Sequence, residues 1–94
     1  MKMIEKLNEE QVREFKNCLS NLKREVKIVF NEIPINSDPY TTDLYNRLQR
    51  IIELYKEAIE KKEWDHSNDK FVQETLDEFA RLRAEVMSPV PIYF

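Results

Sequence analysis

Glu63-Trp64-Asp65-His66 is the one metal-ligand spacing in this chain, a Glu-x-x-His of the kind by which carboxylate-bridged helical bundles hold paired iron ions. Such a centre needs a second pair and further glutamates aimed inward, and the sequence has a single histidine. A two-metal centre within one chain is thereby ruled out, and His66 reads as a capping or solvent-exposed residue of a turn. Cys18 lies at the edge of an apolar stripe with no histidine near it in sequence, which makes it a buried, inert thiol rather than a nucleophile. Serines, threonines and tyrosines fall mostly at expected caps or on apolar faces, and nothing resembles a nucleophile elbow. No catalytic residue, metal or cofactor is expected, so the chain reads as a non-enzyme.

One basic flank and one isolated arginine have a chemistry of recognition. On the first helix Arg13, Lys16, Lys23, Arg24 and Lys27 share one flank, while Glu10, Glu14, Glu25 and Glu32 share the other, at about 100° per residue. The flank reads either as a solvated face with intrahelical ion pairs or as a surface that orients a partner, with Lys16, Lys23 and Lys27 as its contacts. An acidic group at Asp65, Asp69, Glu74, Asp77 and Glu78 is its counterpart. Arg83 breaks the apolar arc of the last helix between Phe79 and Val86. Its stem packs while its head reaches a carboxylate or a helix end, or it anchors a partner, a role in which Arg is favoured.

The elements that carry these residues are legible from periodicity. Asn8 is a good N-cap, with Glu9 and Glu10 suited to the helix dipole and Gln11 as capping-box partner. Apolar residues then recur at Val12, Phe15, Leu19, Leu22, Val26, Val29 and Ile33 in steps of three and four, a heptad seam widened by Cys18 and Phe30. Pro34 ends it. Asp38 and Pro39 open a second helix as N-cap and first helical residue, although a start near Thr42 also fits. Leu44, Leu48, Ile51, Tyr55 and Ala58 form its buried face, broadened by Tyr45, Ile52 and Ile59. Residues 64–69 read as a polar turn. Phe71, Val72, Leu76, Phe79, Leu82, Val86 and Met87 give the third helix its apolar arc, and Ser88-Pro89 stops it.

The expected fold is all-α: an antiparallel three-helix bundle with helices at about 8–33, 39–63 and 69–87 and a short, apolar, non-helical tail over 88–94. The tail carries Val90, Ile92, Tyr93 and Phe94, each worth roughly 1.5–3 kcal/mol when moved out of water. They are expected to pack either on the bundle or on another protein. Glycine is absent, so phosphate-cradling loops are excluded. Ninety-four residues with 41% hydrophobic content support one domain and one modest core. Oligomerisation through a protruding end of the first helix's seam would enlarge that core.

The net charge of −3 offers no strong basic field, so nucleic acid is not the expected partner. No apolar run approaches the ~18 residues that span a bilayer, the first ten residues are too polar for a secretory signal, and the lone cysteine suits a reducing compartment. These features predict a cytoplasmic protein.

The ending Met87-Ser88-Pro89-Val90-Pro91-Ile92-Tyr93-Phe94 resembles the aromatic, proline-containing tails of some small immunity proteins that protect producers of pediocin-like bacteriocins. Leu54-Tyr55 through Lys62 and the third helix are similar in pattern, so the likeness covers the C-terminal half. The family is similar in being helical but has four antiparallel helices, whereas the unbroken seam at 12–33 leaves three long helices here. The resemblance implies a cytosolic, non-enzymatic protein whose C-terminal portion determines which bacteriocin is neutralised, acting at a membrane receptor. Beside it stand two further readings: a homo-oligomeric assembly subunit built on the first helix's seam, and a small helical enzyme or ligand-binding protein with Arg47, Arg50 and Arg83 lining a carboxylate site between subunits.

Overall fold

The computed structural model describes residues 3–33 and 38–87 of the chain. The sequence folds as expected into a mostly helical molecule, with a small two-stranded sheet added. In chain order the elements are β1 (Ile4–Lys6), α1 (Glu9–Glu32), α2 (Pro39–Lys61), β2 (Glu63–Asp65), a 3-10 turn (His66–Asn68) and α3 (Asp69–Met87). The expected stop at Pro34, the connector 35–37, the side chain of Met87 and the tail 88–94, with Val90, Ile92, Tyr93 and Phe94, lie outside the described residues.

Local chemistry sets the helix starts. The Asn8 side chain accepts from the Gln11 N–H at 2.8 Å and the Gln11 side chain accepts from the Asn8 N–H at 2.9 Å, a complete capping box. Asp38 accepts from the Thr41 N–H at 2.7 Å with Pro39 in the first helical position, so α2 begins there and not at Thr42. Its other end falls two residues before the expected Glu63. Lys62 adopts a left-handed conformation, φ 57° and ψ 40°, and its N–H donates to the Ala58 carbonyl, closing α2 at Lys61.

The expected polar turn over 64–69 holds for His66–Asn68, which Asp65 caps, whereas Trp64 and Asp65 belong to a strand and Asp69 opens α3. Residues 63–65 pair antiparallel with β1, Ile4 opposite Asp65, Glu5 opposite Trp64 and Lys6 opposite Glu63. The Leu7 N–H donates to the Lys62 carbonyl at 2.8 Å and the His66 N–H to the Met3 carbonyl at 2.9 Å, which ties both ends of the pairing. Trp64 is buried, because alternation along β2 turns its indole inward while Glu63 and Asp65 stay half-exposed.

The core lies among the three helices. Val29 of α1, Leu44, Leu48 and Ile51 of α2, and Thr75 and Phe79 of α3 are its most enclosed side chains. Ring contacts order the helices along one another. Phe15 meets Tyr55 edge-on at 5.5 Å and Phe30 meets Tyr45 edge-on at 5.1 Å, so partners that ascend along α1 descend along α2. Phe30 also stacks with Phe79 of α3 at 6.4 Å. Cys18 departs from expectation: it is exposed, because its position falls past the edge of the α1 stripe that Phe15, Leu22 and Val26 turn toward the core. No helix among the described residues is long and apolar enough to cross a membrane.

Candidate partner-binding surface

Two of the three lysines singled out on α1 stand together over a groove. Lys23 and Lys27 are exposed one helical turn apart, and with Val26, Phe30 and Asn31 they form the α1 wall of a depression of about 380 Å³. Tyr45, Gln49, Ile52 and Lys56 of α2 form the facing wall, and α3 contributes no lining residue. The floor is apolar and the rim cationic. Lys56 lies 3.7 Å from the Glu53 carboxylate, whereas Lys23 and Lys27 have no hydrogen bond or ion pair among the described residues.

Lys16 is separated from this pair. It borders a second depression with Leu7, Asn8, Glu9, Val12, Arg13 and Lys62, near the start of α1. The basic flank is thus one stripe on the helix wheel but serves two surface depressions.

Arg83 has its own partner in the fold. Its guanidinium donates to the Glu25 carboxylate of α1, with both side chains about one-third exposed. Arg47 likewise donates to Glu78 of α3 and, at 2.9 Å, to Asp43 within α2. The hydrogen bond to Glu78, opposed by partial burial, raises the Arg47 pKa above its already high value. These two arginines tie α3 to α1 and to α2. Arg50 is exposed and belongs to neither pair.

Both ring nitrogens of His66 have carboxylate partners. Its Nδ1 lies 2.8 Å from the Asp69 carboxylate and its Nε2 3.0 Å from the Glu5 carboxylate of β1, so Glu63 is not its partner. The hydrogen bond with Asp69 first, then that with Glu5, raises the His66 pKa. The Trp64 indole N–H donates to Asp69 at 2.6 Å, and this bond, followed by the one from His66, lowers the Asp69 pKa. Beneath them Phe15, Tyr55 and Trp64 pack with centroids 5.2–5.8 Å apart. Burial raises the Tyr55 pKa, with a smaller contribution from Cys18. Among the described residues no group of three histidine, cysteine or acidic side chains is placed to hold a metal.

Sequence reasoning missed the groove residues Asn31, Gln49 and Lys56, but the signal was there. Of the five residues that widen the apolar stripes of α1 and α2 beyond a bare seam, Phe30, Tyr45 and Ile52 line the groove, and Cys18 and Ile59 do not. No protein-family model, curated protein or solved structure matches the chain.

Proposed function

We propose that the chain is a small, non-enzymatic protein-binding module of inhibitor or immunity type, acting from the cytoplasm through its helix faces and its C-terminal tail. The observation that carries this reading is a pair of lysines, Lys23 and Lys27, that have no hydrogen bond or ion pair among the described residues and stand above an apolar groove between α1 and α2. A rim of solvated cations around recessed apolar side chains is how recognition surfaces combine steering with buried contact. The resemblance of the C-terminal half to immunity proteins of pediocin-like bacteriocins points the same way, through the tail residues Val90, Ile92, Tyr93 and Phe94.

The scaffold in this reading is an up-down-up antiparallel bundle. The reversed order of the Phe15–Tyr55 and Phe30–Tyr45 contacts supports it for α1 and α2, and the long-range Arg47–Glu78 and Glu25–Arg83 pairs are compatible with a third helix along both. Assembly through the α1 seam is less favoured, since Val12, Leu22, Val26 and Val29 are buried within one chain. An arginine-lined carboxylate site is less favoured too, since Arg47 and Arg83 already hold carboxylates.

Deletion of residues 90–94 tests the tail. Capture of the target from the native host's extract is expected to be lost while the helical circular dichroism spectrum is unchanged; undiminished capture would remove the tail from the binding surface.

A further inference from the structure

We infer that the groove between α1 and α2 is a seat for an acidic amphipathic helix of a partner protein. The inference rests on the protein-binding reading and names the chemistry of its ligand. Three observations select the occupant. Lys23 and Lys27 sit four residues apart on one wall, a separation of about 6 Å along the axis, and Lys56 stands on the other wall. Carboxylates spaced by one turn on one flank of a docked helix match the first two cations, and a carboxylate on its opposite flank matches the third. Asn31 and Gln49 add neutral polar groups to the rim, and among the described residues Glu53 is the one acidic group paired with a rim lysine.

The apolar surface that the groove leaves accessible is that of Phe30 and Tyr45, since Val26 and Ile52 belong to the core. Val26 and Ile52 are each only 5% exposed, and Phe30 and Tyr45 are half-buried edge-on to one another. A bilayer surface presents headgroups on a plane and cannot touch rings half-buried behind lysines. A single-headgroup amphiphile satisfies one cation and leaves the others solvated. An amphipathic helix supplies both requirements at once, with apolar residues at i, i+3, i+4 and i+7 entering the groove and acids on both flanks, the helix-in-groove mode of recognition. At about 380 Å³ the depression holds a few such side chains and not a whole helix, so the partner lies along the rim. The chain's own acidic segment does not fit the role, because the apolar arc of α3, Val72 and Phe79 foremost, is already in the core.

The test uses the full chain and two labelled peptides of about five helical turns. Both carry leucine at the i, i+3, i+4, i+7 positions; one has glutamate and the other lysine on its flanks. The acidic peptide is expected to bind, to perturb amide resonances of residues 23–31 and 45–56, and to weaken with added salt. K23E/K27E is expected to reduce its affinity about tenfold or more and to admit the lysine peptide, while K23Q/K27Q gives an intermediate loss. K70E/R81E, an equal charge change on exposed positions of α3, leaves the affinity within about twofold. Equal binding of the two peptides overturns the inference, as does acidic-peptide binding that survives K23E/K27E. Phosphatidylserine vesicles that bind through Lys23 and Lys27 when neither peptide does would make the surface a lipid contact instead. Self-association that K23E/K27E disperses would make it a contact between copies. If neither peptide binds but a host protein is captured equally by the wild type and K23E/K27E, the groove assignment falls and the protein-binding reading stands; capture of no protein removes that reading itself.

Discussion

At the scale of single residues, a histidine ring with a carboxylate at each nitrogen is biased toward its protonated form, because both partners accept and each N–H of the cation has an acceptor. His66 is such a ring, bridging Glu5 of β1 and Asp69 at the start of α3. Its raised pKa means that the stabilisation it gives is fully present below the unfolded value of about 6.5 and is lost as pH rises through the higher folded value. Asp69 has the opposite sign: its lowered pKa gives stability that is present above the ordinary carboxyl range and is lost as pH falls through the folded value. The urea midpoint is therefore expected to be higher near pH 5.5 than near pH 8.5, and His66→Gln is expected to flatten that difference; a midpoint that rises with pH would contradict it. Lys62 supplies a second prediction. A side chain in the left-handed region is strained relative to glycine, so Lys62→Gly is expected to stabilise the fold by about 1 kcal/mol in urea denaturation. Caps such as Asn8 and Asp38 were legible in the sequence because their partners lie three residues away. The His66–Glu5 bridge was not, because 61 residues separate the two and local pattern carries no information about that pairing.

At the scale of elements, the helices were legible because each stripe of apolar residues keeps one period from cap to cap. Leu44, Leu48, Ile51, Tyr55 and Ala58 all turn inward as the 3.6-residue repeat requires. Helix ends shifted by one or two residues where tertiary contacts intervene, as at Lys62, whose carbonyl receives the Leu7 N–H. The strands were missed for a different reason. All three residues of β1 are exposed, so burial leaves no alternation to read, and its place is fixed by backbone hydrogen bonds to a segment almost sixty residues on. Trp64 was assigned to a polar turn by its neighbours, although its own bulk was the better guide. The groove was half-visible: the stripes of α1 and α2 were wider than their mutual contact needs, but which excess residues would face one another depends on how the helices rotate when packed. Phe79 tests the shared interior. It is 2% exposed and stacks on Phe30, so Phe79→Ala is expected to destabilise by about 3–5 kcal/mol. A loss below about 1 kcal/mol would mean that α3 is not packed as described.

At the scale of the whole molecule, charge divides into two kinds of work. Arg47–Glu78 and Arg83–Glu25 cross between helices and fasten α3 to the other two, each pair partly shielded from solvent. Lys23 and Lys27 fasten nothing among the described residues and sit beside the groove that α3 leaves uncovered. Substituting them should therefore change association without changing stability, since exposed charges contribute at most about 1 kcal/mol to folding. The central claim is that this surface is where the chain meets another protein. Its most direct test is capture from the native host's extract by immobilised wild type and K23E/K27E, matched by circular dichroism and urea midpoint. The account predicts a protein held by the wild type, released by salt and lost with K23E/K27E. Equal capture by both chains, or loss of capture accompanied by an equal loss of stability, would contradict it.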